Sequence, residues 1–128
     1  MILLDTCGLL ALQDAERTFS PATRSALEAS GSRVFISAIS AFEIGQKQNT
    51  GRLTLPCQAG TWFQRMLEHH QLEEIPISSI LCLAATALPR LHKDPFDRIL
   101  IATALELNLT ILTSDRTIAA YPGIKTLW

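Results

Sequence analysis

Residues 94–112, Asp94-Pro95-Phe96-Asp97-Arg98-Ile99-Leu100-Ile101-Ala102-Thr103-Ala104-Leu105-Glu106-Leu107-Asn108-Leu109-Thr110-Ile111-Leu112, hold a helix, its stop and a strand in one unbroken stretch. Asp94 is a good N-cap, and Pro95 falls at the first helical position, where a missing amide costs nothing. Asn108 supplies a residue type that tolerates the left-handed stop. The spacing therefore predicts a helix over Pro95 to Leu107 and a strand over Thr110 to Leu112. The helix middle is apolar nearly all round, so it must be buried on more than one side, the second side being open to a subunit interface.

Short apolar runs like Thr110 to Leu112 recur outward from this unit. They stand at Met1 to Leu4, Val34 to Ile36, around Glu74 to Ile77, and Ile124 to Leu127. Runs that are apolar on both faces suit buried parallel strands. Helical spacing fills the gaps at about Ile39 to Gln48, Ala59 to His69 and Ser79 to Leu88. Strands alternating with helices predict an α/β fold: a central parallel sheet of about five strands flanked by helices on both faces. No linker, repeat or low-complexity tract divides the chain, so residues 1–128 are expected to be one domain.

The chain is 48% hydrophobic and 18% charged, a composition that supports a packed core and excludes disorder. The net charge of -1 gives no global attraction for nucleic acid, so any such binding must come from a local patch. Cys7, Cys57 and Cys82 form no zinc spacing and cannot all pair, which points to reduced thiols and a cytoplasmic setting. The opening MILLDTCGLL lacks the features of a secretory signal, and no apolar run is long enough to span a bilayer. P-loop and GxGxxG patterns are absent.

In parallel sheets, ligands bind beyond the carboxyl ends of the strands. Asp5 directly follows the first run, and Asp115 follows Thr110 to Leu112 through Thr113 and Ser114. Asp97 opens the helix before that strand, and Glu43 lies in the first turns of the helix after Val34 to Ile36. Taken singly, each acid has a capping reading. Asp5 and Asp115 stand where caps stand, Ser40-Ala41-Phe42-Glu43 fits a capping box, and Asp97 fits an acid favoured by the helix dipole behind the cap Asp94. What single caps leave unexplained is four acids on one rim, because clustered carboxylates repel unless a cation sits among them. Oxygen ligands without a Cys or His set favour Mg2+ or Mn2+ over zinc. Mg2+ typically takes one or two carboxylates directly, so the remaining acids would hold waters or a second ion, and the hydroxyls of Thr6 and Thr113 stand beside two of the acids in support. A metal in an open carboxylate site activates water for phosphodiester hydrolysis, so a nuclease leads. Lys47, Lys93, Arg98 and Arg116 lie close to these acids in sequence and are the candidate contacts to a polyanionic substrate.

The stretches Leu3-Leu4-Asp5-Thr6, Ser37 to Ile44, His92-Lys93-Asp94-Pro95-Phe96-Asp97-Arg98 with Ile101-Ala102, and Thr113-Ser114-Asp115 resemble, in this order, the PIN-domain ribonucleases. The likeness is nearest to the VapC-type toxins of bacterial toxin and antitoxin pairs and covers nearly the whole chain. The HKDPFDR element is specific, whereas the early Asp-Thr is weak alone. The resemblance implies a Mg2+-dependent RNA endonuclease with Asp5, Glu43, Asp97 and Asp115 as its catalytic acids, Asp5, Asp97 and Asp115 as the expected metal ligands and Asp94 as a supporting neighbour, a homodimer, and inhibition by a cognate antitoxin. Phe42 stands where many relatives carry Trp, and Cys7 where many carry another small or polar residue.

Two further readings belong to other classes: a receiver-like Mg2+-binding signalling module, similar in length, and a non-catalytic PIN-fold interaction domain. The first needs an adjacent acidic pair near the start and an Asp after the third strand, and the sequence shows neither. The stripe of Trp62, Phe63 and Met66 reads as core or as a groove for an antitoxin helix, and Tyr121 and Trp128 as edge packing or base-stacking rings.

Overall fold

A computed structural model describes residues 1–128, Met1 to Trp128. The strands are β1 (Ile2–Leu4), β2 (Val34–Ser37), β3 (Glu73–Ile75), β4 (Thr110–Leu112) and β5 (Lys125–Leu127). Between them run α1 (Thr6–Ala11), a 3-10 turn (Leu12–Asp14), α2 (Ala15–Thr18), α3 (Pro21–Glu28), α4 (Ala38–Asn49), α5 (Ala59–His69), α6 (Ser79–Thr86), α7 (Pro95–Leu107) and α8 (Arg116–Ala119). The strands form one sheet in the order β3-β2-β1-β4-β5, and every neighbouring pair is parallel. The α/β expectation holds.

Successive side chains of a strand point to opposite faces, and the core divides accordingly. Ile2 and Leu4 pack with Ile36, Leu112, Leu9, Ile44, Trp62, Phe63 and Met66 on one face. Leu3 packs with Phe35, Ile111, Leu100, Ile101, Ala104, Ile118 and Tyr121 on the other. Helices α1, α4 and α5 cover the first face, and α7 covers the second. The outer strands are less buried than their apolar runs implied: Glu73 and Glu74 of β3 are exposed, as an edge strand allows.

Helix α7 begins and ends as its sequence dictates. The Asp94 side chain accepts from the Phe96 amide at 2.9 Å, Pro95 sits in the first turn, and Asn108 closes the helix at φ 52° in the left-handed region. The capping-box reading of Ser40 and Glu43 is corrected. Helix α4 starts one turn earlier, and its cap is Ser37, whose hydroxyl accepts from the Ile39 amide. Ser40 is therefore inside the helix, which leaves Glu43 free for another partner.

The segment 6–28 folds into α1, the 3-10 turn, α2 and α3, helices too short to impose a clear hydrophobic period. Ser20-Pro21 nonetheless repeats the Asp94-Pro95 signal, with the Ser20 hydroxyl accepting from the Thr23 amide. Trp62, Phe63 and Met66 are buried core, the first of the two readings, and Trp62 and Met66 also line a cleft with Pro56, Cys57 and Arg65. Trp128 packs edge-on against Phe19 and Tyr121 is buried, so neither is a free stacking ring.

Candidate active site

In the order β3-β2-β1-β4-β5 the chain reverses its direction of strand addition between β1 and β4, and the crevice at such a switch point is where parallel sheets bind ligands. Leu4 is in register with Leu112, so Asp5 leaves β1 beside the end of β4. Its amide donates to the Leu112 carbonyl at 3.2 Å. Asp5 also caps α1 by accepting from the Gly8 amide. The capping and site readings of Asp5 are thus compatible, since one oxygen serves the helix and the other remains. Gly8 is what permits the approach: a Cβ there would lie 2.9 Å from the Leu112 carbonyl oxygen and 3.1 Å from Asp5 Oδ1.

Glu43 reaches across from α4. Its Oε1 accepts the Thr6 hydroxyl at 3.0 Å, and the same hydroxyl lies 3.1 Å from Ser40 Oγ. Asp115 caps α8 through Oδ1, which accepts from the Thr117 amide at 2.8 Å, and its own amide donates to Thr113 Oγ1 at 3.0 Å. Asp97 sits in the first turn of α7.

The electrostatics show that these acids share one site. Burial raises the Asp5 carboxyl above its usual range, with Thr113 and the Gly8 amide opposing and Asp115 adding to the rise. Burial likewise raises Glu43, opposed by Thr6 and Lys47 and reinforced by Asp94 and Asp5. Asp97 is pushed up to about 7, first by burial and then by Asp94, with Glu43 and Asp115 contributing. Asp115 is the exception: burial works to raise it, but the hydrogen bond from His92 and the α8 amides carry it below its usual value. Buried, mutually repelling oxygen donors are the environment that a hard divalent cation relieves, so the donor set fits Mg2+ or Mn2+.

His92 opens the His92-Lys93-Asp94-Pro95-Phe96-Asp97-Arg98 stretch, but the sequence reading gave it no role of its own. Its Nε2 lies 3.0 Å from Oδ2 of Asp115, to which it is hydrogen-bonded, and 3.0 Å from Oδ2 of Asp97. Ligand atoms of His92, Asp97 and Asp115 all fall within 4.8 Å of one another. The only local signal was the position of His92 two residues before the cap Asp94.

The cations divide. Lys47, one helical turn beyond Glu43, faces the acids and draws down both Asp5 and Glu43. With Gln46, Thr50, Arg52 and Phe96 it lines a cleft of about 300 Å³ that also reaches Glu43 and Asp94. Lys93 and Arg116 are exposed near the rim. Arg98 is otherwise engaged: its guanidinium donates to the carbonyls of Ala85, Leu88 and Pro89 at 2.9, 3.0 and 2.9 Å. Bound to the backbone in this way, it is a structural clamp between α6 and α7 instead of an RNA contact.

A five-stranded parallel sheet with an acidic crevice at its switch point defines an α/β protein whose donor set suits a divalent cation. Residues 2–124 match the PIN domain family, and the chain belongs to it. It is 31% identical over 96 residues to Ribonuclease VapC22 of Mycobacterium tuberculosis, a match covering 73% of this chain and 72% of that protein. Among solved structures, the fold is similar to VapBC2 from Rickettsia felis bound to a DNA fragment from its promoter, with TM-score 0.72, 19% identity and coverage of 98% and 97% of the two chains. It is also similar to a toxin-antitoxin complex from Klebsiella pneumoniae, with TM-score 0.67, 25% identity and coverage of 100% and 98%.

Proposed function

We propose that this chain is a metal-dependent RNA endonuclease and the toxin of a toxin and antitoxin pair. The observation that carries the reading is the gathering of Asp5, Glu43, Asp97 and Asp115 in one crevice, with Asp5, Glu43 and Asp115 each held through one oxygen by an amide or hydroxyl. Such clamping leaves the second oxygen of Asp5 and of Glu43, and the remaining lone pairs of Asp115 Oδ2 beside His92, for a cation or its waters. Asp5, Asp97 and Asp115 would hold Mg2+ or Mn2+, and Glu43, reaching in beside them, would orient a water. A divalent ion bound there supplies an activated water and neutralises charge on a phosphoryl oxygen. Thr6 and Thr113 fix carboxylates from behind, and Asp94 caps α7 so that Asp97 is aimed inward. Lys47 and Arg52, in the adjoining cleft, offer phosphate contacts on a protein whose net charge is otherwise unfavourable, with Lys93 and Arg116 further out.

Similarity to Ribonuclease VapC22 supports the ribonuclease, and similarity to the toxin-antitoxin complex from Klebsiella pneumoniae supports the toxin role. The cognate antitoxin and the homodimer rest on the family resemblance, and the three free cysteines agree with a cytoplasmic setting. The receiver-like reading does not survive, because that fold orders its strands 2-1-3-4-5 and this sheet runs β3-β2-β1-β4-β5.

The test is cleavage of single-stranded RNA by the purified protein with Mg2+ and with a chelator. Asp5→Asn and Asp97→Asn should each abolish Mg2+-dependent cleavage while leaving the circular dichroism spectrum unchanged. Full activity in either variant would overturn the assignment.

A further inference from the structure

Asp5, Glu43 and Asp115 each receive a hydrogen bond from an amide or hydroxyl close by in the fold, but Asp97 does not. Its one close polar contact is the imidazole of His92, which also binds Asp115. The ring is fixed on every side. Its backbone amide donates to Tyr121 Oη at 2.8 Å, and its Nδ1 accepts from the Asp94 amide at 3.1 Å. Because Nδ1 is an acceptor, the neutral ring carries its proton on Nε2, the atom between the two carboxylates. Tyr121 is buried, and Arg98 ties down the carbonyls of Leu88 and Pro89 just upstream. Four groups thus act on a residue whose own side chain is only partly exposed.

A histidine held this firmly between two acids from different elements has a definite effect on them. Asp97 stands on α7 and Asp115 caps the four-residue helix α8, which has little backbone of its own to fix a rotamer. Left alone, two carboxylates in that position separate by repulsion and must be drawn together each time a cation binds. We propose that His92 is a positioning residue, mounted on Tyr121 and Arg98, that holds the carboxylates of Asp97 and Asp115 together as one face of the cation site. Each carboxylate keeps its remaining lone pairs for the ion, and the imidazole stays outside the ligand set. This rests on the reading that these two acids hold a divalent cation.

Mn2+ titration of the full chain, read by the electron paramagnetic resonance signal of the free ion, measures that affinity without RNA cleavage. His92→Ala should weaken Mn2+ binding roughly 10- to 100-fold, the range for losing an outer partner of a metal ligand. His92→Gln, whose amide can still donate, should recover part of the loss, and Tyr121→Phe should weaken binding in the same direction by less. Circular dichroism melts of His92→Gln and Tyr121→Phe show that the comparison is made on folded protein. Unchanged or tighter binding in His92→Ala would overturn the proposal, since it would make the imidazole a bystander or a competitor for the site. Direct imidazole nitrogen coupling to Mn2+ in pulsed spectra of the unaltered protein would also overturn it, because His92 would then be a ligand. If the unaltered protein binds no Mn2+ that Asp5→Asn removes, the metal reading fails and this proposal with it. Mn2+ binding that Asp5→Asn removes and that the His92 and Tyr121 variants weaken supports it.

Discussion

At the scale of single residues, Asp97 is the most perturbed of the four acids, and its environment makes a signed prediction. Its folded value, about 7, lies above the ordinary 3.8, so the native state holds this proton more tightly than the unfolded chain does. In metal-free protein, stability should therefore fall as pH rises from about 4 to about 7 and level off above. Asp5 and Glu43 are raised too and act with the same sign, whereas lowered Asp115 contributes stability above its unfolded value that is lost only in stronger acid. Thermal melts in chelator should show a higher melting temperature at pH 5 than at pH 8, and Asp97→Asn should shrink that difference. An identical difference in the variant would show that burial does not act on Asp97 as described. The neighbouring Asp94 separates capping from charge. Asp94→Asn should keep the cap, bring Asp97 down towards its ordinary range and retain much of the cleavage, whereas Asp94→Ala should lose about 1 kcal/mol of stability, seen in denaturant melts. Reading the sequence reached all four acids because each lies next to a strand end or a helix start. It missed His92, whose partners Asp115 and Tyr121 lie 23 and 29 residues away, since a bridge between elements leaves no local pattern.

At the scale of elements, the strands and the long helices were legible because their signals are local: Asp94-Pro95 and Asn108 bound α7, and Thr110 to Leu112 is β4 to the residue. Helix α4 shows where local signals mislead. Ser37 and Ser40 are both acceptable caps, and only the end of β2 at Ser37 decides between them. That choice moves Glu43 from a cap partner to a site residue. Helix α1 was legible only through the cap position of Asp5, since six residues cannot display a period, and its placement depends on a contact. Gly8 lets α1 lie against the end of β4, and the atom a side chain would meet is backbone, which cannot rotate away. Gly8→Ala should cost about 1–3 kcal/mol in denaturant unfolding, the usual cost of overpacking. Because Asp5 Oδ1 lies beside the same spot, the variant should also bind Mn2+ less tightly. Stability and binding both at the unaltered level would mean that α1 moves freely and does not set the position of Asp5.

At the scale of the whole molecule, the fold gathers four carboxylates at the carboxyl end of its sheet, beside the crevice between β1 and β4. The site acids are drawn from β1, α4, α7 and the β4 to α8 junction, so relief of their repulsion is spread over both faces of the sheet. A cation bound there should act on the stability of the entire chain, because it binds the folded state and the unfolded chain offers no such cluster. At a free Mg2+ concentration 100 times its Kd, the gain is about 2.7 kcal/mol, which corresponds to a rise of several degrees in melting temperature for a chain of this size. The rise should be absent in Asp5→Asn, which should itself melt no lower than the unaltered protein in chelator, since it removes one repelling charge and can keep the cap on α1. A melt in chelator well below that of the unaltered protein would show that Asp5 serves α1 chiefly as a cap. A cation effect equal in both proteins would place the ion elsewhere on the surface, and the crevice between β1 and β4 would then hold four acids for some purpose other than metal.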